Sequence, residues 1–279
     1  MHCCYINLNQ ATLRREAIES SFGKSARPGW TLSRFTAIDT AHVDAQCIPG
    51  RKTRREKACF LSHKTLIETQ ATDGHHLLVL EDDTQFGRAT CEIVGGFLQQ
   101  NPAGDWDILF LDVAPLKLSD MMTLYFHRQT LMADHKIVPL DLSKMSFIGA
   151  NAYIVNAASR HKVLACLEAG VPIDVEYDIY LSNHIIAGTL KAAVLFPFLV
   201  TLSPQAADSQ IQRSSMETIN RARNIFRNMM WLESEPELFQ ESLKTLEVEV
   251  ANSQHRALAT ILAAQFLSEK DRGFNADTD

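Results

Sequence analysis

The stretch "HHLLVLEDDTQF", residues 75–86, decides the fold. Four apolar residues, Leu77-Leu78-Val79-Leu80, run straight into three adjacent carboxylates, Glu81, Asp82 and Asp83. A short continuous apolar run that stops at polar residues has the pattern of a strand buried on both faces. Such strands belong to parallel sheets covered by helices. Neighbouring carboxylates repel one another, so they sit either in water or around positive charge. At the end of a strand this leaves two readings, a solvated turn or the ligands of a hard cation such as Mg²⁺ or Mn²⁺.

Outward from this point the same grammar repeats. Residues 3–8 read as a short buried strand. Residues 9–22 read as a helix with Arg14 and Arg15 early and Leu13, Ala17 and Ser21 on one face. Ser33 to Ile38 is a second strand, ended by Asp39. Residues 56–70 have helical spacing, which puts Cys59, His63, Leu66 and Ile67 on one side. "DWDILFLD" (105–112) is another apolar run closed by an acid, Asp112. Residues 149–155 make a further strand, 157–169 a helix and 193–202 a last strand. This alternation predicts an α/β domain with a mostly parallel sheet. Ligands of such sheets bind beyond the carboxyl ends of the strands, where 81–83 and Asp112 both fall.

After Pro204 the character changes. A helix is expected over 213–232, with Met216, Ile219, Ala222, Phe226, Met229 and Met230 on one side. Arg213, Asn220, Arg221, Asn224, Arg227 and Asn228 fall on the other. Its apolar side suits packing on the body or on a second copy. The alternative is an interfacial helix beside a lipid-linked acceptor. An acidic stretch begins at Glu233. The chain therefore divides into an α/β domain, 1–212, and a helical C-terminal region, 213–279.

Composition excludes several classes. With 279 residues, 46% of them hydrophobic, the chain can bury a sizeable core. A net charge of −6 argues against nucleic acid as a partner. No segment reaches the roughly 18 consecutive apolar residues of a membrane span. The first residues lack a basic-then-apolar leader. A cytoplasmic location with reduced cysteines is the expectation. The six cysteines, Cys3, Cys4, Cys47, Cys59, Cys91 and Cys166, have no zinc-site spacing. His2-Cys3-Cys4 is a metal-binding start or, better, part of a buried strand. "RKTRREK" (51–57) reads as a solvated loop, with a diphosphate clamp or an import tract as alternatives.

"YINLNQATLRRE" (5–16), "RFTAID" (34–39), "EKACFLSH" (56–63) and "LLVLEDD" (77–83) occur in that order, followed by "NAYIVNAASRHKVL" (151–164), "PID" (172–174) and "FPFLVTLSPQAADSQI" (196–211). Together they resemble the successive blocks of glycosyltransferase family 25, the bacterial lipooligosaccharide glycosyltransferases and their collagen-modifying relatives. The likeness spans about residues 1–212. It implies a GT-A-like nucleotide-sugar-binding fold, a UDP-hexose donor, a saccharide acceptor, inversion at the anomeric carbon and a divalent cation, Mn²⁺ or Mg²⁺. It assigns the cation to Glu81 and Asp83 and sets Asp82 near the donor. Asn7, Arg14, Arg15, His63, Asp112 and Ser209 become candidates for the donor pocket. Ala58 stands where the family prefers glycine, and Asn9 and Gln10 stand where an acid is common.

An inverting transfer needs a base for the acceptor hydroxyl. Asp174, in "GVPIDVEYDIYL", is the first candidate, with Glu176 and Asp178 as competitors. A helix N-cap is the other role open to Asp174. The expectation is thus a metal-dependent transferase moving galactose or glucose from a UDP-sugar to a saccharide such as a lipooligosaccharide core. Peripheral contact with the inner face of the membrane and a homodimer through the C-terminal region are further expectations. A phosphohydrolase of nucleotide sugars and a non-catalytic nucleotide-sugar-binding subunit are the competing classes.

Overall fold

A computed structural model describes residues 1–70, 74–102, 104–203 and 217–234. In chain order the elements are β1 (His2–Asn7), α1 (Thr12–Ser25), β2 (Thr31–Thr36), α2 (Thr40–Ala45), α3 (Arg54–Gln70), β3 (Leu77–Glu81), β4 (Thr84–Phe86), α4 (Thr90–Gln100), β5 (Ile108–Phe110) and β6 (Ala114–Pro115). There follow α5 (Leu118–Ala133), β7 (Val138–Asp141), β8 (Phe147–Ile148), β9 (Ala152–Val155), α6 (Arg160–Glu168), α7 (Tyr177–Ile186), β10 (Ala192–Phe196), β11 (Val200–Leu202) and α8 (Glu217–Met230).

The central sheet has seven strands in the order β2-β1-β3-β9-β5-β10-β7. β2, β1, β3, β5 and β10 run one way, and β9 and β7 run against them. The α/β class with a mostly parallel sheet is therefore as expected. β9 departs from a purely parallel pattern, and the departure matters. Its first residues lie beside the carboxyl ends of β3 and β5, so Asn151, just ahead of β9, arrives among the acids.

Side-chain alternation fills both faces of the sheet. Cys4, Val79, Phe110 and Tyr153 pack on one face with Phe60, Leu66 and Ile67 of α3 and Leu181 of α7. Cys3, Tyr5, Leu78, Leu80 and Ile154 pack on the other with Ile18 and Phe22 of α1 and Val94 of α4. The adjacent Cys3 and Cys4 are both buried because each faces a different layer. Leu77 to Leu80 are all buried, as the apolar run required.

Local chemistry sets the boundaries. Asn9 and Gln10 form a turn, with the Ala11 N–H on Leu8 O at 3.0 Å, so α1 starts at Thr12 rather than at residue 9. Its buried face is Ile18, Phe22 and Ser25, while Leu13 is exposed. Arg14 lies one turn before Ile18 on that face and so points inward. Thr53 and Glu56 form a capping box that starts α3: the Thr53 N–H donates to Glu56 Oε2 at 2.8 Å, and the Glu56 N–H donates to Thr53 Oγ1 at 3.3 Å. The expected strand over 193–202 is two strands broken around Pro197, and β11 leaves the main sheet to pair with β4. Pro139 is tolerated because β7 is an edge strand.

Of the helix expected over 213–232, residues 217–230 are described as α8. Ala222, Phe226, Met229 and Met230 are buried as expected, with Ile225 among them. The apolar side packs on this chain's own core, and the Phe198 N–H donates to Met230 O at 3.0 Å. Arg227 was expected on the polar side and is instead buried, for a reason given below. The acidic stretch beyond residue 234 lies outside the described residues. Among the described residues no helix is long and apolar enough to cross a membrane.

Candidate active site

The carboxyl ends of β1, β2 and β3 open into a cavity of about 380 Å³ between α1 and α3. Its wall includes Ile6, Leu8, Arg14, Ile38, Cys59, His63 and the triplet Glu81-Asp82-Asp83. Glu81 ends β3, and Asp82 and Asp83 make the turn into β4. The triplet is therefore no solvated surface turn. Asp83 is buried, and side-chain donors hold Asp82 and Asp83.

Asn7, the last residue of β1, donates to Asp82 Oδ2 at 2.7 Å, and Arg14 Nη1 lies 3.1 Å from Asp82 Oδ1 and 3.8 Å from Asp83 Oδ2. Arg15 does not line the cavity; it reaches Asn7 Oδ1 at 3.4 Å and Asn9 O at 3.2 Å. His63 Nε2 lies 3.6 Å from Glu81 Oε1, and its Nδ1 lies 2.9 Å from the Tyr153 hydroxyl. Tyr153 in turn meets the Tyr177 hydroxyl at 2.6 Å, and the His63 ring stacks on Tyr177 with centroids 4.1 Å apart. Ser62 donates to Ala58 O and accepts the Ile38 N–H at 2.9 Å, tying the segment after β2 to α3.

Asp112 lies two residues past β5, fully buried and paired with Arg227 of α8. Arg227 Nη2 also donates to Asn151 Oδ1 at 2.8 Å, and Asn151 Nδ2 donates to Asp83 Oδ1 at 3.3 Å. The Asn151 carbonyl accepts the Glu81 N–H at 2.7 Å and the Thr84 hydroxyl at 2.9 Å. Asn151 thus ties the acidic turn to α8. Sequence reasoning missed Asn151, Arg227 and Arg34. The last donates from Nε to Asn7 Oδ1 at 2.9 Å and fixes that amide. The helical pattern over 213–232 sets Arg227 on the polar side and so carries no signal for its buried role.

Charge is unevenly balanced here. Burial, then Glu81 and Asp82, push the Asp83 carboxyl up to about 7, against the pull of Arg14 and Arg227. Burial also raises Asp82 and Asp112, only partly offset by their guanidinium partners. Burial works to raise Glu81 as well, but His63, Arg227 and Arg14 outweigh it and hold that carboxyl below its usual range. Asp112 keeps one buried oxygen, Oδ1, with no hydrogen-bond partner among the described residues. Three carboxylates gathered in one cavity wall, with Asp83 raised in proton affinity by its neighbours, fit a hard divalent cation.

Asp174 is placed elsewhere. It does not line the cavity and does not cap α7, whose N-cap is Glu176. Its carboxylate accepts the Arg51 N–H at 2.7 Å, which with the Arg51 side chain holds it below the ordinary range. Glu176 pairs with Lys52 at 2.5 Å. Asp178 accepts the Gly149 N–H at 2.9 Å; burial raises its carboxyl, and Glu81 adds to the rise. The tract 51–57 is thereby dispersed: Arg51, Lys52 and Arg54 pair with carboxylates, Lys57 donates to Ile48 O, and Arg55 lines the cavity. Ser209 lies outside the described residues.

Among solved structures, the chain is similar to TarS residues 1–349 of S. aureus, at 10% identity and a TM-score of 0.44, over 97% of this chain and 81% of that one. It is also similar to the galactosyltransferase LgtC in complex with donor and acceptor sugar analogs, at 12% identity and a TM-score of 0.38, over 98% and 99%. Likenesses of this size carry no information on substrate. The sequence matches no curated protein. Residues 1–181 match glycosyltransferase family 25 (LPS biosynthesis protein), a span holding β1 to β9, the cavity and every acid of the triplet. The chain belongs to that family, and its α/β domain, with an acidic turn at the carboxyl end of a central strand, has the GT-A-like layout that membership implies.

Proposed function

We propose that this glycosyltransferase moves a hexose, galactose or glucose, from a UDP-sugar to a hydroxyl of a saccharide such as a lipooligosaccharide core, with inversion at the anomeric carbon. The observation that carries this reading is the meeting of Arg14 with the triplet Glu81-Asp82-Asp83 in the wall of one cavity. Glu81 and Asp83 would hold Mn²⁺ or Mg²⁺, and the bound cation would neutralise the departing diphosphate. Arg14 adds a fixed positive charge on the same side. Asn7 and Asp82, locked by Arg34 and Arg14, orient the donor. The apolar patch of Ile6, Leu8 and Ile38 suits one face of a nucleobase.

The acceptor oxygen attacks as the bond to the diphosphate breaks, and its proton passes to a carboxylate. Neither Asp174 nor Asp178 lines the cavity, but Asp178 interacts electrostatically with Glu81 and Cys59, which do, and is held by the Gly149 N–H, so it is the better placed of the two; burial also raises its carboxyl. A lipid-linked acceptor would bring the enzyme to the inner face of the membrane. α8 does not supply that contact, since its apolar side is used in packing on its own chain.

The test is donor turnover. Purified protein with Mn²⁺ and each common UDP-sugar should release UDP from one donor, and Asp83→Ala or EDTA should abolish release. UMP with sugar phosphate would replace this reading with a phosphohydrolase. No binding of any UDP-sugar would overturn it.

A further inference from the structure

Cys59 and His63 stand one turn apart on α3, so both side chains leave the same face. That face meets the end of β3, where Glu81 is. One ligand atom from each of the three, thiol, imidazole and carboxylate, lies within 4.8 Å of the other two. His63 Nε2 and Glu81 Oε1 are 3.6 Å apart. Tetrahedral zinc, with bonds of about 2.0–2.3 Å, spaces its ligands by about 3.3–3.8 Å.

We propose that Cys59, His63 and Glu81 form a binding site for a thiophilic divalent cation, Zn²⁺ above all, in the wall of the cavity, and that its occupancy competes with the hard cation for Glu81. The site is built, because the histidine is oriented from behind. The Tyr153 hydroxyl at Nδ1 and the stacked Tyr177 ring fix the imidazole and leave Nε2 facing Glu81. Partners of this kind orient metal-binding histidines. All three groups line the cavity, so a fourth position is open to water. A thiolate with an imidazole favours zinc or cobalt over magnesium or manganese. A thiol ligand gives up its proton on binding such a cation, so binding releases protons.

The competing half rests on the reading that Glu81 serves a hard cation; the binding half does not. The probe is Co²⁺, titrated without oxygen into the full chain and followed by absorption. A thiolate-to-cobalt band in the near ultraviolet should rise to stoichiometry, fall on addition of Zn²⁺, vanish in Cys59→Ser and Cys59→Ala, and weaken in His63→Gln. It should persist in Cys4→Ser, which tests the His2–Cys4 pair, 3.0 Å apart. Circular dichroism of each variant establishes folding. No such band, or a band lost in Cys4→Ser and kept in Cys59→Ser, overturns the site. Electron paramagnetic resonance of bound Mn²⁺ then tests competition. Release of Mn²⁺ by one equivalent of Zn²⁺ supports it. Retention of Mn²⁺ beside cobalt overturns competition alone, and a protein that binds cobalt but no Mn²⁺ counts against the hard-cation reading.

Discussion

Arg227 and Asp112, 115 residues apart in sequence, form an ion pair closed to solvent, with exposures of 4% and 0%. The pair joins α8 to the segment after β5 and, through Asn151, to Asp83. A buried pair of this kind adds little net stability, but breaking one side leaves an uncompensated charge.

Arg227→Met is therefore expected to lower unfolding free energy by about 3–5 kcal/mol. The double variant with Asp112→Asn should recover part of that loss, since no lone charge remains. Urea denaturation measures both. A loss under about 1 kcal/mol in Arg227→Met would mean that Asp112 is not sealed.

Asp83 gives the molecule a pH dependence of defined sign. Its carboxyl is pushed up to about 7 in the fold, against 3.8 for a free side chain. A raised carboxyl contributes stability that is whole below the unfolded value and is lost as pH rises through the folded one. The metal-free protein should thus weaken between about pH 4 and pH 7, and Asp83→Asn should flatten that slope. Melting curves in EDTA test this, and Mn²⁺ should restore stability at the alkaline end. A wild-type Tm that climbs across the window relative to the variant is the contrary result.

Gly50 has a φ of 121°, and a Cβ there would lie 2.2 Å from Ile173 O. The surrounding loop is tied by the Ile173 N–H on Pro49 O and the Lys52 N–H on Ile173 O. Gly50→Ala should cost about 1–3 kcal/mol and loosen the Arg51–Asp174 contact. Thermal denaturation with limited proteolysis at 49–52 reads both effects. An unchanged Tm would contradict the close approach.

The base assignment separates two carboxylates on neighbouring segments. Asp178→Asn is expected to reduce kcat about 10²–10⁴-fold with little change in donor KM. Asp174→Asn, altering a solvent-exposed ion pair with Arg51, should stay within a few-fold of wild type. A large kcat loss at Asp174 alone would reverse the assignment.

The acidic turn was legible because its signal is local: four apolar residues followed by three acids say "buried strand, then acidic turn" without reference to any other segment. Cys59 and His63 were legible as a pair for the same reason, through helical spacing. Asn151 and Arg227 were not. Their roles come from a strand inserted against the direction of its neighbours and from a helix arriving from the far end of the chain. The direction of β9 depends on which edge its neighbours leave open, and no periodicity within 149–155 encodes it. The face of α1 was misread because Leu13 is apolar yet exposed, whereas Arg14 follows the buried stripe of Ile18 and Phe22.

The ion pair between Arg227 and Asp112 also orders events during synthesis. A ribosome delivers β1, β3 and β5, and with them every carboxylate of the cavity wall, long before Arg227 leaves the exit tunnel. Until then Asp112 has no cation to face and Asn151 has no donor on its Oδ1. The nascent chain can therefore assemble its sheet and hold the acidic turn early, while the bridge from Asp83 through Asn151 to Arg227 closes only when the last described helix docks.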